Sequence, residues 1–179
     1  PGVLGEIVVS APHLKDHYDR LWLTDRAALR DTVGLEGAPV DARWHRTGDV
    51  GHLDDRGRLW VEGRMPHVIV AADGPIAPVG PEQQVERVAG VRRAAVVGVG
   101  PHGLRQAVAV LETLPPVSRP GLADPELTRA VRERTGIPLV AVLAVPRLPT
   151  DIRHNSKIDR SKLSVWADGV LAGARPVAP

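Results

Sequence analysis

Cysteine is absent from the 179 residues, which excludes disulfides, thiolate metal sites and a cysteine nucleophile. Phenylalanine is also absent and tyrosine occurs once, so no aromatic surface for stacking bases can be read from the chain. Lysine is confined to Lys15, Lys157 and Lys162. No apolar run approaches the roughly 18 to 20 residues of a membrane helix, and no signal-peptide pattern opens the sequence. Blocks of one charge are missing too: 23 basic and 21 acidic residues are interspersed, leaving a formal charge of +2. The sequence pI near 9.5 reflects how few lysine and tyrosine groups remain to titrate near pH 10, not a basic patch. A cytoplasmic protein with no membrane span and no nucleic-acid partner is expected.

What is present fits a folded domain. Hydrophobic residues make up 43% and charged residues 25%, enough to bury a core. Gly 18 and Pro 17 punctuate periodic segments and form no low-complexity tract, and no internal repeat is found.

Gly5-Glu6-Ile7-Val8-Val9-Ser10 reads as a strand, and residues 24–29 as a short helix with Thr24 as its N-cap. Residues 44–53 and 58–62 are strand-like and flank Asp54-Asp55-Arg56-Gly57, whose turn chemistry makes them a hairpin. A further strand is expected over 68–72. From residue 80 the pattern alternates. Gly80-Pro81-Glu82 starts a helix with Pro81 at its first position, and Gly90 ends it. Residues 94–99 and 106–112 read as paired strands, and Asp124-Pro125-Glu126 caps a helix that Gly136 stops. Residues 139–145 form the most apolar strand. A last helix runs from about Ser161, with Leu163, Trp166, Ala167 and Val170 on one face. The fold class expected is α+β, with a break near residues 63–66: a β-rich part over 1–64, a small mixed α+β domain over 65–173, and a tail over 174–179.

Three segments carry chemistry: Trp44-His45-Arg46-Thr47-Gly48-Asp49-Val50-Gly51 with Gly57-Arg58-Leu59-Trp60; Gly63-Arg64; and Pro149 through Asn155-Ser156-Lys157-Ile158-Asp159-Arg160. Taken singly, each reads as a surface turn or a solvated charge. Their order and spacing are more specific. Together with Glu82 after Gly74-Pro75-Ile76-Ala77-Pro78, they resemble the C-terminal portion of the adenylate-forming superfamily, which includes acyl-CoA synthetases, luciferases and peptide-synthetase adenylation domains. The resemblance covers almost the whole chain. It implies the end of a large AMP-binding domain over 1–64, followed by the lid domain over 65–173.

That resemblance assigns nucleotide binding to Thr47, Asp49 and Arg64. Asp49 would accept the ribose hydroxyls, held by the Thr47-Gly48 turn, and Arg64 would add a hydrogen bond. It assigns catalysis to Lys157, as a compact positive charge between the substrate carboxylate and the α-phosphate of ATP. Pro66 falls at the lid hinge. ATP, with Mg bound to it through ligands outside this chain, is the implied cosubstrate, and no metal site of the chain's own is expected. His13 and His17 are four apart but lack a carboxylate pair suited to a metal, and His154 stands three residues before Lys157. A serine hydrolase is disfavoured because no Gly-x-Ser-x-Gly elbow occurs.

The run from Pro149 to Ile158, followed by Leu163-Ser164-Val165-Trp166-Ala167, resembles most the β-lactone synthetases of bacterial olefin biosynthesis, often called fatty acid-CoA ligases. The ligase so implied acts on a fatty or β-hydroxy acid; a β-lactone synthetase adenylates a long-chain β-hydroxy acid, whose own hydroxyl displaces AMP without CoA. Two departures from thioester-forming relatives agree with this: Pro66 replaces the usual Asp or Lys at the hinge, and only Gly74 remains of a paired-glycine loop. An acyl-CoA synthetase is the alternative, and a non-catalytic lid-derived binding module a second. In the superfamily the phosphate-cradling loop and the acyl pocket precede the matched region. The expectation is therefore a fragment, or half of a split enzyme, inactive alone. Its partners would be an N-terminal adenylating domain in the same or a separate chain, a small carboxylic acid, and olefin-pathway enzymes.

Overall fold

The alternation of apolar runs with Gly, Pro and Asp becomes ten strands and four α-helices among the described residues of the computed structural model. Those residues are 2–11, 14, 21–30, 44–151 and 157–179. His13, His17 and His154, with Asn155 and Ser156, lie outside them. The chain divides into two compact units, Pro1–Pro66 and His67–Pro179.

The first unit is an antiparallel sheet built on one long strand. Its elements are β1 (Gly5–Val9), α1 (Trp22–Ala28), β2 (Leu29–Arg30), β3 (Trp44–Leu53) and β4 (Leu59–Arg64). Strand β3 pairs with β1, β2 and β4. The β3–β4 hairpin forms because Asp54 organises its turn: Oδ1 accepts the Arg56 and Arg58 amides, each at 2.9 Å, and Gly57 takes φ +71°. A bulge follows Val50, and there Gly51 is required, since a Cβ would stand 2.2 Å from the Trp60 carbonyl oxygen. Helix α1 starts at Trp22 and not at Thr24, which lies inside it; Asp25 N–H donates to the Leu21 carbonyl at 2.9 Å. The helix is therefore opened by a backbone bond, and the threonine is not its cap.

The second unit contains the hairpin β5 (Ile69–Ala71) and β6 (Gly74–Ile76), then α2 (Val79–Val85), β7 (Val91–Val99), β8 (Gln106–Thr113), β9 (Gly121–Leu122), α3 (Pro125–Thr135), β10 (Leu139–Val145) and α4 (Arg160–Leu171). A 3₁₀ turn, Met65–His67, precedes them. The main sheet has the order β7-β8-β10-β9; β7 is antiparallel to β8, and β10 is parallel to β8. Parallel pairing needs a crossover, and α3 supplies it. Alternate strand residues face opposite sides, and both sides are dry. Val96, Leu111 and Val142 pack with Val85 and Val131, from α2 and α3. Val97, Val110 and Leu143 pack with Leu163 and Ala167 of α4. Burial on both faces is why these strands read as continuous apolar runs.

Helix α3 follows its sequence signals closely: Asp124 accepts the Glu126 amide at 2.8 Å, Pro125 is the first helical residue, and Gly136 closes the helix at φ +68°. Helix α2 does not. It starts at Val79, two residues ahead of Pro81, and its N-cap Pro78 makes no side-chain bond. Helix α4 starts at Arg160, capped by Asp159, whose carboxylate accepts the Lys162 amide at 3.0 Å. Residues 174–179 carry no regular structure, although the Trp166 indole N–H donates to the Val177 carbonyl at 2.6 Å.

Candidate functional site

Strand pairing in the first unit brings three of the expected residues together. In the β3–β4 register Asp49 lies opposite Arg64. Arg64 Nη1 donates to Asp49 Oδ1 at 3.0 Å and to the Thr47 carbonyl at 3.3 Å. Thr47 Oγ1 donates to the Ile7 carbonyl at 2.8 Å and accepts the Asp49 amide at 3.0 Å. Its hydroxyl thus ties the turn to β1 and fixes the backbone of Asp49. Gly48 takes φ +72°, and a Cβ there would stand 3.4 Å from Arg64 Nη2. A side chain at 48 would be strained and would crowd the guanidinium.

The Asp49 side chain is 33% exposed and that of Arg64 58%. The carboxylate is therefore oriented by a cation while part of it faces solvent. An ionised carboxylate has about four lone-pair directions, so acceptor capacity remains for a diol, and the guanidinium keeps further donors. A held carboxylate beside free guanidinium donors can chelate vicinal hydroxyls, as a ribose presents.

Lys157 belongs to the second unit and is exposed. The backbone on either side of residues 152–156 is tied together: Asp151 N–H donates to the Lys157 carbonyl at 2.8 Å, Asp159 N–H donates to the Pro149 carbonyl at 2.9 Å, and Thr150 bridges Ile158. Lys157 thus opens a backbone-tied stretch, 157–159, that leads into the capped start of α4. An exposed lysine on a backbone tied in this way can present a point charge to an anion.

Sequence reasoning names Glu82 but misses its burial and its partner, Arg160, three residues beyond Lys157. Glu82 is 7% exposed and accepts Arg160 Nε at 3.0 Å, Arg160 Nη2 at 2.5 Å and the Val96 amide at 2.9 Å. Burial pushes its carboxyl above the usual range, against the opposing pull of Arg160. The sequence does carry a signal for it: residues 82 and 85, three apart, share one helix face, so Glu82 stands on the apolar face of α2 and requires a partner. Glu112 is likewise buried, paired with Arg92 Nη1 at 2.6 Å and with the Leu148 amide at 3.2 Å. Among the described residues, no group of three His, Asp or Glu is placed to hold a metal ion. No helix among them is long and apolar enough to cross a membrane.

No family profile matches the chain. The chain is 39% identical over 172 residues to an olefin beta-lactone synthetase of Stenotrophomonas maltophilia, an alignment covering 95% of this chain and 31% of the relative. In fold it resembles the o-succinylbenzoate CoA synthetase of Bacillus subtilis solved with its acyl-adenylate intermediate: TM-score 0.71, 25% identity, 100% of this chain and 32% of that one. The same enzyme with ATP and magnesium ion gives a TM-score of 0.69 at 28% identity, covering 91% of this chain and 31% of that one. The chain therefore spans about 31% of the length of the curated relative it matches.

Proposed function

We propose that this chain, which belongs to the adenylate-forming superfamily as the counterpart of its C-terminal portion, serves an AMP-forming ligase of the fatty or β-hydroxy acid class that activates a β-hydroxy acid and closes it to a β-lactone with loss of AMP. The observation that carries the reading is the 39% identity to an olefin beta-lactone synthetase, which runs over 95% of the chain and so through both units. The Asp49–Arg64 pair supports it with the right chemistry for a ribose.

In this reading Asp49 accepts the ribose hydroxyls of ATP, Arg64 holds the carboxylate and donates beside it, and Thr47 fixes the turn that presents both. Magnesium arrives with the nucleotide and is held by groups outside the chain. Lys157 places its ammonium between the attacking carboxylate and the α-phosphate, where negative charge gathers in the transition state. Residues 65–173 act as a lid on the preceding domain, with Pro66 at the hinge. The N-terminal adenylating domain, in the same polypeptide or a separate one, supplies the phosphate loop and the acyl pocket. The exposed Leu21, Trp22, Leu23, Trp60 and Val61 suit a unit that a larger domain covers. The whole would work in the cytoplasm, beside the enzymes that make and consume the β-hydroxy acid and its lactone.

The hydroxyl that displaces AMP is tethered to the acyl group, so ring closure needs no second conformation to admit a thiol. Proline at the hinge, with its fixed φ, is compatible with an enzyme that omits that step. The test gives the complete enzyme ATP and a β-hydroxy acid, with and without CoA, and identifies products by mass spectrometry. A β-lactone and AMP formed without CoA are expected. A CoA thioester as the main product, with no AMP turnover when CoA is omitted, would replace this reading with an acyl-CoA synthetase.

A further inference from the structure

We propose that Arg160 is a positioning residue for Lys157, acting through its ion pair with the buried Glu82; the proposal rests on the reading of Lys157 as the charge that meets the α-phosphate. Lysine is long and flexible, so its ammonium can be placed only if the backbone beneath it is held. Three ties hold it. The Asp151 amide binds the Lys157 carbonyl, the Asp159 amide binds the Pro149 carbonyl, and the Asp159 carboxylate caps α4. The last two are made by Asp159, the N-cap of α4, and the first residue of that helix is Arg160.

The Arg160 side chain is 19% exposed and reaches Glu82 with two donors, Nε and Nη2, in the fork geometry that fixes direction as well as distance. Glu82 is itself fixed, because its Oε1 also accepts the Val96 amide of β7. The path therefore runs from the central sheet to a carboxylate on α2, on to Arg160, and three residues back to Lys157. A solvated salt bridge would not do this. A pair whose buried carboxylate also accepts a backbone amide has one low-energy arrangement. Other polar groups nearby are occupied elsewhere: Glu86 Oε1 accepts the Ala94 amide at 3.1 Å, and Asp159 serves the cap.

The experiment uses the complete enzyme and three variants. Lys157→Ala tests the underlying reading and should abolish most adenylation. The double variant Glu82→Gln/Arg160→Met removes both charges, so no unpaired buried charge remains to unfold the domain, while the introduced amide oxygen can still accept the Val96 N–H. It should keep its unfolding midpoint yet lose about 10²-fold in kcat with the KM for ATP unchanged, as a displaced catalytic group does. Amide exchange at Asp151 and Asp159 should accelerate while that of β7 and β8 stays the same. Arg160→Lys keeps the charge without the fork and should fall between wild type and the double variant. It decides the matter if the double variant fails to fold. Wild-type kcat in a folded Glu82→Gln/Arg160→Met, or in Arg160→Lys should the double variant not fold, overturns the positioning role alone. Wild-type kcat in Lys157→Ala overturns the reading beneath it.

Discussion

Strand β8 of the second unit buries every position except Gln106, whereas β3, the longest strand of the first unit, buries only Val50 and Gly51. The same contrast runs through the rest of each unit. Among the described residues of Pro1–Pro66, Ala28 and Val50 are the buried hydrophobic side chains, while Leu21, Trp22, Leu53, Leu59, Trp60 and Val61 are exposed. In His67–Pro179 two apolar clusters sandwich one sheet between helices. The first unit is organised instead by polar contacts: the Asp54 turn, the Arg46–Glu6 pair at 2.8 Å and the Thr47–Asp49–Arg64 constellation. One part holds its shape by packing, the other by hydrogen bonds in register. Residue types that carry chemistry sit on both, but only in the second unit are they backed by a dry core.

The largest effect expected from this contrast is on stability. Leu143 is 0% exposed between β8 and α4, so Leu143→Ala should cost about 2 to 5 kcal/mol in urea unfolding of the chain. Val61→Ala in the first unit should stay within about 0.5 kcal/mol. Equal losses would erase the distinction between the units.

Function should divide differently. In the complete enzyme, Lys157→Ala should lower the adenylation rate by about 10² to 10³ with little change in stability, since an exposed lysine supports no packing. Asp49→Ala should act through ATP, raising KM roughly ten- to hundredfold, as loss of a charge-assisted hydrogen bond does. Steady-state kinetics on the two variants separate these outcomes. An unchanged KM in Asp49→Ala would remove the nucleotide role from the first unit.

The units should also answer acid with opposite sign. Asp54 is lowered from 3.8 to about 2, first because the Trp60 indole N–H donates to its ionised form at 3.0 Å, then through the Arg58 amide. A folded value below the unfolded one means that its contribution to the hairpin is complete above about pH 4 and is lost as pH falls toward 2. Glu82 is raised, chiefly by burial. Its titration favours the folded state below the ordinary glutamate value near 4.5, and that advantage is lost as pH rises through the raised folded value. Following the Trp60 indole N–H by NMR from pH 6 downward should show the hairpin contact intact at pH 4 and weakening as pH approaches about 2. Asp54→Asn should flatten that transition while the second unit is unaffected.

The smallest effect is expected where the units meet in sequence. Pro66 is exposed within the 3₁₀ turn Met65–His67. Pro66→Ala should leave lactone formation by the complete enzyme within about twofold, the range of a surface substitution. A large loss would overturn the proposal that lactone closure makes no demand on residue 66.

Local signals in the sequence are strongest where local physics decides. Helix α3 is legible to the residue, because Asp124, Pro125 and Gly136 act through bonds and dihedrals of their immediate neighbours. The β3–β4 turn is legible too, because Asp54 and Gly57 build it themselves, although β4 runs Leu59–Arg64 and not 58–62. The start of α2 is misplaced from sequence because Pro81 is acceptable anywhere in a first turn, and the backbone alone settles which residue comes first. Strands β6 and β9, each short, carry too few residues to show a period and exist through their partners.

The site divides along the same line. The motifs around Asp49 and Lys157 can be recognised as residues in order, and their chemistry follows from residue type. The sequence by itself determined which groups can accept a diol, which can carry a fixed positive charge, and that two differently patterned regions follow one another. Only the tertiary structure decided that Thr47 spends its hydroxyl on the turn, that Arg64 holds Asp49 across two strands, and that Glu82 meets Arg160, three residues beyond Lys157. The reason is range. Caps and turns are closed by atoms a few residues apart, whereas Glu82 and Arg160 are 78 residues apart and meet only because the sheet between α2 and α4 brings them together.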